Sequence, residues 1–595
     1  TSLASPIVAA AAVLYRSQHP DAEFSEMLEM LQASSVDLGI LGEDWLNGFG
    51  ALDIHALLQE GTGHITYEMQ TDELENTQQV FIPGHTVQTM EEPERENLVF
   101  EGWYYDAQCN DSVEYYTTRF SEDVTLYANW INEDDGTAYT YTTRSDGTIE
   151  ILSYTGKRRM ITVPSVIEGK TVTSIGEYAF YGNQRLTMVK LPETLTNIGA
   201  YAFGQCTRLT SIELPETVQT IAEGAFRDCA RLSYVEVVTG GALESVGSQA
   251  FAYCGITTFE IPAKLSQLAA DAFLGAGSIR SITVASGNET YCLANQALYN
   301  AAKTKLIYYP AGLAKSYAVE EGTTEIGANA FAYAMAGEIT LPSGLTTIGA
   351  YAFSYSRLRQ LDVPASVTSL GEGICQLAPY LSDVKFSEAT TITAIPDHAF
   401  WGCGGLKTID LPKSIQSIGE ESFSASALAT LNLPQGSALK QIRSGAFSQT
   451  SLRALWLPKS LEKIEDYAFM NCRTLSEVTI EDGSTLVSIG MAAFSDCAAL
   501  SAFEIPDVTA EVGLQAFYNS GLKQVSIGAG LTQLGDGAFS ACQNLAEIQV
   551  DAGNTAYQSK DGVLFSKDGT TLMIYPAAKV GSYTMPAGTV RTADY

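Results

Sequence analysis

The chain has 595 residues, too many for a single hydrophobic core, so it divides into several domains or stacks repeats. Lys and Arg number 34 against 68 Asp and Glu, and the formal charge of −34 repels nucleic acid and anionic membrane surfaces. Apolar residues make up 46%, ample for burial, yet no run approaches the roughly 18 consecutive apolar residues of a membrane span.

The chain opens "TSLASPIVAAAAVLYRSQHPDAEF", and the Ala-rich stretch from Leu3 to Tyr15, interrupted at Ser5 and Pro6, predicts a buried helix. Further on, "LNGFGALDIHALL" predicts a glycine turn followed by a short amphipathic helix. Together they resemble the C-terminal part of subtilisin-like serine proteases. In that family a Gly-Thr-Ser-x-Ala-x-Pro element carries the nucleophile, and Thr1, Ser2, Ala4 and Pro6 match it from the second position; Gly48, Phe49 and Gly50 match the closing segment. The resemblance implies that residues 1–60 are the helical remnant of an α/β subtilase domain, with Ser2 in the nucleophile's place. A Ser at the start of a buried helix has its oxygen near the positive helix end, which favours a developing oxyanion. Two positions depart from the family: Ile7 stands where His is usual, and Ala10 where Gly is usual. The family's Asp, His and oxyanion Asn all precede the Ser, and Ser2 is the second residue here, so the chain as given is expected to be inactive. Its parent is expected to be an endopeptidase acting on peptide substrates.

Residues 61–131 have another composition, with "FEGWYYDAQCNDSVEYYTTRFSEDVTLYANW" at their end. Trp103, Leu126, Tyr127 and Trp130 are expected to build a small core. The rings could instead form a carbohydrate platform, but a domain of about 70 residues needs them inside. The segment resembles the internalin B-repeat module of Listeria and Bacteroides surface proteins, which implies a β-rich, β-grasp-like spacer.

From residue 132 to 595 the chain repeats itself. "LPETLTNIGAYAFGQCTRLTSIE" (191–213) and "LPETVQTIAEGAFRDCARLSYVE" (214–236) are successive copies of one unit. An aromatic anchor falls at Phe180, Phe203, Phe226, Phe251, Phe273, Phe331, Phe353, Phe400, Phe423, Phe447, Phe469, Phe494, Phe517 and Phe539, with most steps of 22 to 25 residues; Ile374 is expected to fill the slot in a degenerate copy. In each unit a short alternating strand such as "LTSIELP" puts Leu209, Ile212 and Leu214 inward and ends at Pro215. One unit cannot bury its apolar face alone, so the copies must stack into a solenoid.

The order A-F, then Cys, then L-x-x-I-x-(L/I)-P resembles the BspA-type leucine-rich repeats of bacterial surface proteins. Two longer units, about 287–320 and 553–590, match that family's hairpin-bearing variant, and about 137–180 looks like the unit that begins such arrays. The resemblance implies a mainly β solenoid, an extracellular or cell-surface location, and a protein or glycan ligand on the solenoid face.

Seven of the ten cysteines fall three residues after the anchor, at Cys206, Cys229, Cys254, Cys403, Cys472, Cys497 and Cys542. Other copies hold Asn183, Ala276, Ser356, Ser426, Thr450 and Ser520 there, which share small size but no sulfur chemistry, so packing is the expected role. With five His and no CxxC pair, no metal site or cofactor is expected. Both ends fall inside recognisable units, "ADY" standing where "EDY" precedes the anchor Phe469, so the chain is expected to be an internal piece of a longer protein. Two functions are compatible with these features. One is a secreted subtilisin-like endopeptidase docked by its repeats; the other is a non-enzymatic adhesin carrying a decayed protease segment.

Overall fold

The computed structural model describes residues 35–36, 51–52, 63–81, 83, 93, 95, 98–111, 113, 119–132, 138–156, 158–238, 240–314 and 316–593. Two compact units are present, and each is taken by itself: Thr1–Leu195 with Gln205–Glu213 and Ala230–Ser233, and Thr196–Gly204 with Leu214–Cys229 and Tyr234–Tyr595. All elements among the described residues are strands and turns. The helix expected from Leu3 and the nucleophile Ser2 lie outside the described residues. Of the second expected helix only Ala51 and Leu52 are described; they are extended and pair antiparallel with Val36 and Ser35, which corrects the helical reading at those two positions.

In the first unit, four strands form a mixed sheet in the order Thr77–Phe81, Gly63–Glu68, Val124–Asn132, Leu98–Tyr104. Alternation puts Ile65, Tyr67, Leu126 and Ala128 on one face, where they share a buried cluster with Trp103, Phe81 and Phe120, the Trp103 ring lying 4.5 Å from Tyr67. Trp130 packs against this cluster and its indole N–H donates to the Met69 carbonyl at 2.7 Å. Tyr127 is a correction: one step from Leu126 in a strand, it points to the other face and is half-exposed. Glu101 ties this sheet to the first repeats, accepting from Asn129 and from the Arg185 guanidinium, both at 2.7 Å. The hairpin Tyr139–Thr143 and Ile149–Tyr154 begins the repeats, and Lys170–Ile175 adds in parallel to its second strand.

The second unit is built from coils stacked in parallel register. One ladder of two-residue strands runs through seven successive coils from Ala394–Ile395 to Gln533–Leu534. The inward Leu, Ile and Val of each strand meet their equivalents in the next coil, so a single apolar cluster extends from Ala294 to Leu564. The anchor phenylalanines are all buried, at most 4% exposed. Their rings stack coil on coil, for example Phe423 on Phe447 at 5.2 Å and 1°, and Phe447 on Phe469 at 5.3 Å and 3°. Truncating one such ring to Ala costs about 3–5 kcal/mol.

One anchor assignment changes. The Phe353 N–H donates to the Ile374 carbonyl, just as Phe331 donates to Ala352, so Ile374 occupies the alanine slot that precedes the anchor. Cys375, whose N–H donates to Ala399 as an anchor's does, therefore replaces the phenylalanine. Both residues are fully buried. The exchange is one of volume: a large side chain in the small slot beside a small one in the large slot.

The slot three residues beyond the anchor proves to be a donor position as well as a small one. The thiols of Cys229, Cys254, Cys472 and Cys542 donate to the anchor carbonyl of the preceding coil, Phe203, Phe226, Phe447 and Phe517, at 3.0–3.1 Å. Cys403 does the same to Cys375 at 3.0 Å. Burial pushes the Cys472 thiol up to about 11 and that of Cys403 to about 12. Neither is a nucleophile at neutral pH.

Two outcomes follow. Cys375→Phe alone overpacks the core and destabilises the chain by about 1–3 kcal/mol, and adding Ile374→Ala recovers most of that loss in a denaturant-melt cycle. Unreduced chain titrates ten free thiols when denatured but only the two half-buried ones, Cys109 and Cys292, when native. Recovery of fewer than about four thiols after denaturation would instead require disulfides between coils.

Candidate functional site

The surface of the second unit is shaped by the backbone around each anchor. Between the two ladders the chain must turn while keeping its phenylalanine inside, and it does so with three-residue turn bonds. In one coil Ala225 donates to Ala222, Arg227 to Gly224 and Cys229 to Phe226. The intervening N–H groups leave the coil: Gly224 donates to Ser248, Phe226 to Ala250 and Asp228 to Ala252, all in the following coil. The geometry requires a left-handed backbone two residues before and two residues after the anchor. Gly224 and Asp228 have φ of 58° and 61°, and equivalent corners recur along the array.

Left-handed φ costs a bulky residue about 1–2 kcal/mol, which is why Gly and Asn belong there. Many corners comply, among them Gly402, Gly445, Asn329, Asn471 and Asn519. Others carry tyrosine: Tyr201, Tyr253, Tyr333, Tyr351, Tyr355 and Tyr467 have φ between 52° and 60°. The rings of Tyr201, Tyr253 and Tyr351 lie against the next coil, where a glycine makes room. A Cβ on Gly275 would sit 2.4 Å from the Tyr253 ring, and one on Gly373 would sit 2.4 Å from Tyr351. In these three pairs the ring covers the backbone of the next coil.

Three of these rings gather into a patch. Tyr333 stacks on Tyr355 at 4.6 Å and 4°, and Tyr253 meets Tyr333 edge to face at 6.1 Å with the two hydroxyls 3.3 Å apart. Tyr380, which is not a left-handed corner, is separately exposed at 55%. Arg227 lies over the Tyr253 ring at 5.7 Å, and Arg357 over that of Tyr380 at 6.0 Å. Burial and the Tyr253 hydroxyl push the Tyr333 phenol up, and the hydrogen bond donated to Glu372 at 2.7 Å pushes Tyr351 up to about 12. Beyond Tyr351 the surface turns acidic, with the His398 ring 3.4 Å from Glu372 and 3.7 Å from Glu421. Such a patch can bind by stacking and by phenol hydrogen bonds; it holds no group set up for covalent catalysis.

Sequence reasoning placed its one candidate, Ser2, outside the described residues, and it missed the tyrosines. The signal was present at fixed offsets from the anchor, in "AFAYAM", "AYAFSYSRL" and "AFAYCG". Among the described residues no helix is long and apolar enough to cross a membrane.

Comparison with known proteins fits this geometry. The model of the BspA-type leucine-rich repeat region matches in six copies over residues 158–280, 303–426, 380–487 and 462–561, and that of the Listeria-Bacteroides repeat domain matches residues 64–129. Among solved structures, a leucine-rich repeat protein from Eubacterium ventriosum is 21% identical, covering 62% of this chain and 95% of its own, with a TM-score of 0.44. A leucine-rich cell surface protein from Faecalibacterium prausnitzii is 25% identical over 59% of this chain and 94% of its own, with a TM-score of 0.37. The pneumococcal vaccine antigen PcpA is 19% identical over 63% and 91%, with a TM-score of 0.42. No curated protein matches the chain. The repeat matches span more than half of the sequence, and the chain belongs to the BspA-type leucine-rich repeat family.

Proposed function

We propose that the chain is the binding portion of an extracellular or cell-surface bacterial protein, holding a protein or glycan ligand on the tyrosine patch of its solenoid. The observation that carries this reading is where the tyrosines stand. They occupy corners at which the backbone favours Gly or Asn, and they add exposed ring surface that the stacked core does not need. Aromatic rings with arginines beside them are the residue types that dominate binding energy at interfaces. Family membership supports the surface location, and the formal charge of −34 favours partners other than polyanions.

A second, finer reading concerns the first 60 residues and rests on the sequence. Ser2 and the Gly48-Phe49-Gly50 closure support descent from a subtilisin-like endopeptidase, in which the repeats would dock the enzyme to its surface or substrate. A Ser hydroxyl attacks only when a base removes its proton and a third group orients that base. The adhesin reading does not need that chemistry and agrees at least as well with the repeat family.

Two outcomes are expected. Tyr253→Asn combined with Tyr355→Asn keeps or raises the melting temperature, since Asn tolerates left-handed φ, while lowering binding to cells or extracellular matrix by about tenfold or more. Unchanged binding would take the patch out of the function. The purified chain neither cleaves fluorogenic peptides nor labels with a fluorophosphonate; labelling of Ser2 would show that a base is supplied from within the chain.

A further inference from the structure

One face of the array departs from the acidity of the rest. Between residues 407 and 459 there are six Lys and Arg against three Asp and Glu, in a sequence with 34 against 68. Two of the six are spent on ion pairs, Lys440 with Glu462 at 3.2 Å and Arg443 with Asp397 at 2.6 Å. The other four, Lys407, Lys413, Arg453 and Lys459, are exposed and form no ion pair among the described residues.

The repeat brings these four together. Lys407 precedes the strand Thr408–Asp410 and Arg453 precedes Ala454–Leu457, while Lys413 and Lys459 follow the prolines that end the same two strands. One coil, with the strand Thr430–Asn432, lies between them, and the other ladder runs in register through these coils at Ser417, Gln441 and Lys463. Two steps of the strand spacing put equivalent cations about 10 Å apart. Trp456 stands between Arg453 and Lys459. Leu455 and Leu457 on either side of it are buried, so the indole faces outward, where it is half-buried. The core does not require a ring there, since the neighbouring strands carry Asn432 and Thr479 outward. Its N–H makes no hydrogen bond among the described residues. The other outward residues, Thr408, Thr430 and Ala454, are small and leave the floor around the indole low.

We infer that this face binds an acidic polysaccharide, a uronate sugar stacking on Trp456 while carboxylates along the chain meet Arg453 and Lys459 and, two coils away, Lys407 and Lys413. A pyranose ring has an apolar C–H face that an indole accepts, and a carboxylate takes charge-assisted hydrogen bonds from Arg and Lys. The face suits a sugar chain better than an acidic peptide. Strand N–H and C=O groups lie in the plane of the ladder, so side chains alone are presented, and a flexible peptide would lose conformational entropy without gaining backbone hydrogen bonds. Carboxylates border the face: Asp410 accepts from Asn432 at 2.6 Å, Glu477 stands opposite Ala454, and Glu481 accepts the Lys459 N–H at 3.0 Å. Charges more than about 8 Å away are largely screened at physiological ionic strength, so the acidity of the whole chain does not set the sign here. The site uses no residue of the tyrosine patch and stands or falls independently of that reading.

Isothermal titration of the full chain with a galacturonate oligomer tests it, with the methyl-esterified oligomer as the uncharged analogue. The acid binds, and the ester binds at least about tenfold more weakly. Trp456→Thr copies Thr479 of the next coil, and Arg453→Ser with Lys459→Gln copies Ser476 and Gln435. Each lowers affinity by about tenfold or more, with the melting temperature close to that of the unsubstituted chain. Lys440→Gln, at a cation already paired, leaves binding unchanged, as does Tyr253→Asn with Tyr355→Asn. Absence of binding up to about 1 mM oligomer overturns the site. Equal binding of acid and ester, or retained affinity in the Trp456 and Arg453/Lys459 variants, overturns it as well. Equal or tighter binding of poly-L-glutamate would assign the face to an acidic protein instead, and self-association abolished by Trp456→Thr without sugar binding would assign it to a second copy of the chain.

Discussion

A phenylalanine can be kept at the centre of a tight turn only if the backbone on both sides of it reverses hand. That constraint governs the repeat array. It fixes left-handed corners two residues before and after each anchor, and it sends alternate N–H groups to the next coil. Those bonds, rather than the two-residue strands of the ladders, set the register in which the phenylalanine rings stack at 5.0–5.4 Å in the coils from Phe400 to Phe539. Ring stacking and backbone bonding therefore reinforce each other, and each coil is stable only beside its neighbours.

The same constraint decides which positions are free to vary. A corner residue contributes nothing to the core, since its side chain leaves the coil, so the fold asks only that it tolerate φ near 55°. Gly and Asn answer that demand at low cost, and a tyrosine does not. Beneath three of these tyrosines the next coil carries glycine: Gly224 under Tyr201, Gly275 under Tyr253 and Gly373 under Tyr351. The pairing lets the ring lie flat and recovers part of the backbone cost through contact. The array thus separates its tasks: anchors hold the coils together, and corners present the surface.

Much of this was legible in the sequence because a buried ring has few substitutes. Fourteen phenylalanines at near-constant spacing give the coil length, and every one of them is buried. The exception at 374–375 misled for a physical reason: the larger residue of the pair is the natural candidate for the larger slot, and only the hydrogen bonds of Ile374 and Cys375 reveal the exchange. Tyr127 misled through parity, since composition places it in an aromatic cluster but strand alternation turns it outward. The tyrosines were legible only as a residue recurring at fixed offsets from the anchor, and not as a patch. Its members lie far apart in sequence, from Tyr253 to Tyr355, and whether a corner faces solvent depends on a left-handed φ that tyrosine does not itself predict. The function assigned to Ser2 came from motif resemblance alone, and no geometry tests it.

The cysteine slot shows how far such an array tolerates chemical change. Its occupant sits above the anchor carbonyl of the preceding coil, and that carbonyl already accepts one backbone bond, as Phe226 does from the Cys229 N–H. A thiol adds a second bond to a lone pair that would otherwise go unused, as Cys254 does at 3.0 Å. Losing that second bond costs little, because the carbonyl is not orphaned. Ala276 and Ala378 can therefore occupy the slot without a donor, and Ser426 can turn its hydroxyl to its own coil's Phe423 instead. A carbonyl that depended on the slot for its only partner would allow no such freedom, since an unsatisfied buried acceptor costs about 1–3 kcal/mol. The slot is selected for size first and for hydrogen bonding second, and sulfur suits it because a thiol is small, apolar and still able to donate.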